Sequence, residues 1–162
     1  MIIHVLNKNT LIIDDFRLRC CVGKKGFNSN KKEGDHSTPK GIFSFKKLYF
    51  RKDRVGIPIC KLNKKAITKN IAWCDDPENA KYNQEIKTTT KNHKENFYRK
   101  DNKYDYLISI DYNNKNVPNK GSAIFLHLTK NYNPTAGCIA VKKKDFEIIL
   151  KLIDKKTKIK IS

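Results

Sequence analysis

Acidic residues are scarce in this chain. Its 16 Asp and Glu stand against 35 Lys and Arg, a formal net charge of +19. Such an imbalance points to a polyanionic partner (nucleic acid, a membrane surface or an acidic cell-wall polymer) or to nothing more than an excess of solvated lysine. The lysines are mixed with Asn, as over 28–32 and 113–120, which a biased genome composition would also produce. Long apolar runs are missing too. Nothing approaches the roughly 20 apolar residues of a spanning helix, so no membrane span is expected. Met1–Leu6 lacks a basic start and is too short for the roughly 7–15 apolar residues of a secretory signal. It reads as a first strand, and on this point alone a cytoplasmic location stays open. The cysteines are Cys20, Cys21, Cys60, Cys74 and Cys138, an odd number with no C-x-x-C among them. That spacing argues against a zinc site and, at this size, against a disulfide framework. Repeats and low-complexity tails are absent as well.

What is present suits one domain over residues 1–162, long enough to bury a core without staples. Met1–Leu6 and Thr10–Ile13 flank Asn7-Lys8-Asn9, a hairpin signal. Phe16–Val22 is a third strand. A polar loop over 26–40 ends in Thr38-Pro39-Lys40-Gly41, which is turn chemistry. Ile42–Tyr49, Tyr104–Tyr112, Ser122–Leu128, Gly137–Val141 and Thr157–Ile161 read as strands, with weaker candidates at Ile57–Leu62 and Ala66–Ile71. Pro77–Tyr82 suggests one helical turn capped by Asp76. Helical spacing of Phe146, Ile149, Leu150 and Ile153 predicts a helix over Lys144–Asp154. The expectation is a mostly β domain of about ten short strands with one C-terminal helix.

The chemistry-bearing stretch is Gly121–Val141. One apolar run ends near His127; a polar Asn/Pro loop follows; a second apolar run begins at Cys138, eleven positions on. Two adjacent strands joined by that loop would bring a thiol and an imidazole to one pocket, the minimum parts of a nucleophile and its base. Gly137 lets backbone approach a substrate closely, the N–H groups of Gly137 and Cys138 could face a developing oxyanion, and Thr135 is placed to line the mouth. On spacing alone, a buried structural Cys and a satisfied core His is the simpler reading.

Several blocks in one order change that balance. They are Leu18-Arg19-Cys20 with Gly23-Lys24-Lys25-Gly26, Lys32-Glu33-Gly34-Asp35 with Thr38-Pro39-x-Gly41-x-Phe43, and Trp73-Cys74-Asp75-Asp76-Pro77 with Tyr82-Asn83. Next come Tyr98-Arg99-x-Asp101 with Tyr104-Asp105, and Gly121-Ser122-Ala123-Ile124-Phe125-Leu126-His127 with Pro134-Thr135-Ala136-Gly137-Cys138. Over nearly its whole length the chain resembles a compact, single-domain branch of the L,D-transpeptidase catalytic domain family (YkuD-like). The resemblance implies a β-sandwich or barrel with a C-terminal helix, and peptidoglycan stem peptides as partners. Cys138 would be the nucleophile, His127 its base, and the backbone N–H groups around Ala136, Gly137 and Cys138 the oxyanion hole. It implies no metal or organic cofactor, a cell-envelope or periplasmic location, and a part in cell-wall assembly and cell shape. Many members carry a His where this chain has Ala136, and Arg or Asn where it has Ala140.

Other residues divide less sharply. Arg99 could grip a substrate carboxylate in two-pronged geometry or pair with Asp101 inside its own block. His36 and His93 read as loop residues, with a rim position the alternative for His93; His4 reads as structural. Trp73, Cys60 and Cys74 read as core. Beside the transpeptidase reading stand a hydrolase of the same fold, using water as acceptor, and a non-enzymatic polyanion binder. The chain has neither a helix-turn-helix nor the basic, aromatic-rich strand of an RNA-recognition sheet, so no specific nucleic acid is expected.

Overall fold

The structure is a computed structural model, and it describes residues 1–88 and 94–162; the expectation for His93 lies outside them. The strands in chain order begin β1 (Ile2–Leu6), β2 (Thr10–Ile13), β3 (Phe16–Cys21), β4 (Phe27–Asn28), β5 (Thr38–Pro39) and β6 (Gly41–Phe50). After the one-turn helix α1 (Lys52–Val55) come β7 (Asn63–Ala66), β8 (Ile71–Cys74), β9 (Glu85–Lys87), β10 (Lys94–Asn96), β11 (Tyr106–Ile110), β12 (Phe125–Leu128) and β13 (Ile139–Val141). The helix α2 (Lys143–Leu152) and β14 (Lys158–Ile161) complete the chain.

The main sheet runs β11-β12-β13-β3-β2-β1-β14-β6-β7, and β11 also pairs with β6, so the sheet closes on itself. The long strand β6 makes the closure. Its residues 41–44 pair with β14, and its stretch from Phe45 to Phe50 pairs with β11. Closure pairs strands that would be edges in a flat sheet and leaves β7 as an edge on the flank of β6. Alternation explains the local choice of strand: Ile3 and Val5 of β1, and Ile159 and Ile161 of β14, point into the barrel while their neighbours lie further out. Phe146, Ile149 and Leu150 bury one stripe of α2 against the same core. Burying each such side chain is worth about 1.5–3 kcal/mol, whereas an N-cap side chain contributes about 1 kcal/mol. Packing therefore holds α2, which has no side-chain cap.

A three-stranded sheet, β10-β8-β9, lies outside the barrel. It covers a second, aromatic cluster built on Tyr49, Phe97, Tyr104, Leu107 and Phe125, with Trp73, Ala123 and Cys138 packed against it. Phe97 is its hub, with rings of Tyr49, Trp73, Tyr104 and Phe125 between 5.0 and 6.2 Å away. Among the described residues no helix is long and apolar enough to cross a membrane.

The middle of the chain departs from the expected elements. Ile57–Leu62 is not a strand: Gly56 turns left-handed (φ 68°), and Ile57 and Ile59 stand 66% and 86% exposed. The strand falls instead on Asn63–Ala66, which pairs along β6 as an edge and needs no apolar alternation. The expected Ala66–Ile71 strand is displaced to Ile71–Cys74. Pro77–Tyr82 forms turns rather than a helical turn. Asp76 Oδ1 accepts from the Glu78 N–H and Asn79 Oδ1 from the Lys81 N–H, local bonds that compete with helix. Phe97 is a buried knob just past β10.

Candidate active site

His127 and Cys138 are brought together by β12 and β13, which are parallel neighbours with His127 opposite Ala140 and Leu126 opposite Ile139. Extended by one residue, that register sets Cys138 beside Phe125. Residues two apart on a strand share a face, so Phe125, His127 and Cys138 all face the aromatic cluster, while Leu126 and Leu128 face the barrel core. Both His127 and Cys138 line one cleft of about 1230 Å³, whose walls come from 99–105, 122–124 and 133–138.

His127 is 6% exposed. Its Nδ1 lies 2.9 Å from the Leu128 carbonyl. A carbonyl can only accept, so this contact assigns the proton to Nδ1 and leaves the Nε2 lone pair free to act as a base. The Tyr104 ring meets the imidazole edge-on, with centroids 5.3 Å apart. Burial drives the imidazole pKa down to about 4, only partly offset by the Leu128 bond and helped by the nearby Lys103 and Arg99 charges. Cys138 donates its S–H to the Ala123 carbonyl at 3.2 Å. Burial pushes the thiol up to about 12, although the Phe125 N–H and the Lys31 charge work in the opposite direction. At neutral pH the resting pair is therefore a thiol and a neutral imidazole.

The carbonyl that receives the thiol is itself held in place. Ala123 sits left-handed (φ 54°), and its N–H donates to Asn83 Oδ1 at 3.1 Å. Asn83 is buried; it accepts from the Trp73 indole at 3.0 Å and donates to the Tyr112 and Asn113 carbonyls. That uses both ends of the amide. Beside it, the Tyr82 hydroxyl donates to Glu33 and accepts from the Gly121 N–H. The Tyr82-Asn83 pair in the sequence is thus the brace of the loop that carries Ala123.

The turn before Cys138 differs from expectation in one respect. The Gly137 N–H is taken by Thr135 Oγ1 at 3.1 Å, and the Thr135 hydroxyl donates to the Cys138 carbonyl at 2.6 Å. Thr135 lines the cleft as expected, but its hydroxyl staples the turn, and Gly137 has no N–H to spare for an oxyanion. The Gly137 carbonyl accepts from the buried Thr38 hydroxyl at 2.8 Å. Across a trans peptide the next N–H points the opposite way, so Thr38 aims the Cys138 N–H to the side away from itself. Among the described residues neither the Ala136 nor the Cys138 N–H has a backbone acceptor. Gly137 has to be glycine: at φ 150° a Cβ would meet the Ser37 carbonyl at 2.8 Å.

Arg99 also lines the cleft, but its fork is engaged. Nε and Nη2 hold both oxygens of Asp101 at 2.9 and 2.7 Å, Nη1 reaches Glu95 at 3.3 Å, and the guanidinium lies 5.1 Å from the Tyr104 ring centroid. The pairing holds the Asp101 carboxyl down to about 2. Of the two readings of Arg99, the geometry favours the internal ion pair; a substrate carboxylate would have to displace Asp101. His36 stands exposed at the cleft rim, and His4 is half-buried in β1. Trp73 and Cys74 lie in or against the core, as expected, and Cys60 packs on it. Lys31 and Glu95, both acting on Cys138, escaped the sequence reading, because charged residues in polar stretches give no periodic signal. Among the described residues no group of three or more His, Cys, Asp or Glu converges as a metal site.

With the geometry in place, comparison with known proteins adds the following. The family model for the YkuD L,D-transpeptidase catalytic domain matches residues 3–161. No curated protein matches the chain. A solved structure, that of Bd1075 from Bdellovibrio bacteriovorus, aligns with a TM-score of 0.47 at 15% identity, covering 99% of this chain and 47% of its own. The chain thus spans about half the length of that protein.

Proposed function

Because the chain belongs to the L,D-transpeptidase catalytic domain family, we propose that it is a cysteine L,D-transpeptidase acting on peptidoglycan stem peptides at the cell envelope, with a role in cell-wall assembly and cell shape. The observation that carries this reading is the contact of His127 Nδ1 with the Leu128 carbonyl, which assigns the proton there and leaves Nε2 as a base, on the same sheet face and in the same cleft as the Cys138 thiol.

The reaction follows from those parts. The Cys138 sulfur attacks a stem-peptide carbonyl while its proton passes to His127 Nε2, so no thiolate–imidazolium pair need exist beforehand. The carbonyl oxygen becomes an oxyanion, and the Cys138 N–H, turned by Thr38, donates to it. Collapse breaks the C–N bond, and His127 returns the proton to the leaving amine of the terminal residue. A thioester on Cys138 remains. An amine from a second stem gives its proton to His127 and attacks the thioester, forming the new amide, and the thiolate recovers the proton. The +19 charge suits long-range attraction to an anionic wall polymer.

The test is intact mass after incubation with a tetrapeptide stem or a carbapenem. The expected result is one acyl adduct on the wild type and none on Cys138→Ala; an equal adduct on both would sink the proposal. A second reading keeps the thioester and uses water as acceptor. Ala136 and Ala140 favour it, since both line the cleft without a polar group to hold an acceptor amine. Products formed with two stems present separate the readings: a cross-linked dimer supports transpeptidation, cleavage alone supports hydrolysis.

A further inference from the structure

Lys31 is almost fully buried, with 5% of its surface exposed. It lies on the loop before β5 and behind the active-site turn rather than in the cleft. Its stem runs between two glycines: a Cβ on Gly121 would meet Lys31 Cε at 3.0 Å, and a Cβ on Gly137 would come within 3.6 Å of its Nζ. Both are left-handed, at φ 96° and 150°. The ammonium donates to Asp35 at 2.7 Å and to the Lys32 carbonyl at 3.3 Å. Asp35 also takes the Lys32 and Ser37 N–H groups, the Ser37 hydroxyl and the Asn28 amide. Its carboxyl, which burial would raise, is thereby held well below the usual carboxylate range. A buried charge is retained only where it is paired and hydrogen-bonded. Here the cost places a positive charge one residue from the nucleophile.

We propose that Lys31 is a positioning residue for the active-site cysteine: its buried ammonium, fixed by Asp35 behind Gly137, favours the negative charge that develops on the Cys138 sulfur. The inference rests on Cys138 being the nucleophile. The charges acting on that sulfur are Glu95 of β10, which opposes the thiolate, and, with the smaller effect, Lys31, which favours it. The other titratable groups around it are Tyr104, which interacts with the Cys138 charge, and His127 of β12. Glu95 acts from the cleft wall and Lys31 from behind the turn, where its own partner is Asp35.

The readout is the alkylation rate of Cys138 by iodoacetamide, followed by peptide mass as a function of pH. It needs no peptide substrate, so failure of the transpeptidase assay leaves it interpretable. An opposite charge at short range shifts a pKa by about 1–3 units, so Lys31→Met should lower the thiolate fraction at a given pH about tenfold or more. Part of that loss returns in the rate, because a more basic thiolate is more nucleophilic, and roughly a threefold slowing is the least expected. Lys31→Arg should stay near wild type. Glu95→Gln removes the charge that opposes the thiolate and should speed alkylation. A purely structural role predicts that Lys31→Met slows alkylation by one factor at every pH and leaves the midpoint of the pH profile unmoved, and that outcome overturns the proposal. Lys31→Gln, which keeps a donor for Asp35, replaces Met if the latter fails to fold by circular dichroism; a wild-type profile in the folded variant overturns it equally.

Discussion

The two hydrophobic clusters of this molecule differ in kind. The barrel core is largely aliphatic, with Ile3, Val5, Leu11, Ile13, Leu126 and Ile139 all within 1% exposure. It meets α2 and carries no group of the candidate mechanism. The second cluster is aromatic, packs around Phe97 with Trp73 stacked and Tyr49, Tyr104 and Phe125 edge-on, and has Ala123, Cys138 and His127 on its border. Strand β12 belongs to both, with Leu126 and Leu128 on one face and Phe125 and His127 on the other. An aliphatic interior supplies burial, which is non-directional. An aromatic layer also supplies orientation, because ring pairs prefer particular angles and are worth about 0.5–1.5 kcal/mol beyond their area. The candidate pair, His127 and Cys138, is set where orientation is available, and the aliphatic side keeps the platform folded.

If this division holds, damage to one cluster should leave the other's property intact. The largest effect is expected at Cys138: Cys138→Ala should lose acyl-adduct formation completely while keeping its urea midpoint close to that of the wild type. Next, Ile149→Ala in the barrel core should cost about 2–5 kcal/mol in urea unfolding without changing the Cys138 alkylation rate under native conditions; a matching loss of rate would merge the two regions.

The third effect is a dependence on pH. The His127 pKa is lowered on folding, so the unfolded chain binds more protons between the folded value of about 4 and the ordinary value near 6.5. Stability therefore rises with pH through that window and is lost as pH falls through it, by roughly 3 kcal/mol from this one group. His127→Gln should flatten the curve of urea midpoint against pH over that range; an unchanged curve would show that the imidazole is not buried in its neutral form. Fourth, Asn83→Ala leaves the Trp73 indole and the Ala123 N–H without their acceptor and should cost about 1–3 kcal/mol, with a fall in kcat larger than any change in KM. Smallest is Asp101→Asn. Its partner Arg99 is about one-third exposed, and such pairs are worth about 0–1 kcal/mol, so only a small change in thermal midpoint is expected; a collapse of adduct formation would return Arg99 to the substrate.

How much of this was legible beforehand varies with the kind of signal. The barrel strands Ile2–Leu6 and Thr10–Ile13 were readable from the turn residues between them, and Lys158–Ile161 from its alternation, because both signals are local. Helix α2 was readable for the same reason, at a period of 3.6. The outer sheet was not. Glu85–Lys87 and Lys94–Asn96 are polar strands, and what makes them strands is pairing to Ile71–Cys74, a contact between distant parts of the chain. The same distinction runs through the site. His127 and Cys138 stood out as residue types at a workable spacing, inside blocks that resemble a known family.

By itself, the sequence determined the two candidate side chains, the mostly β character and the excess of positive charge, since each is a property of composition or near-neighbour order. The tertiary structure alone decided that Thr135 takes the Gly137 N–H, that Thr38 turns the Cys138 N–H, that Arg99 is occupied by Asp101, and that Lys31 lies buried behind the turn. Each of these depends on where a donor finds its acceptor once distant segments are packed. Hydrogen-bond direction and burial are not properties of a residue's type.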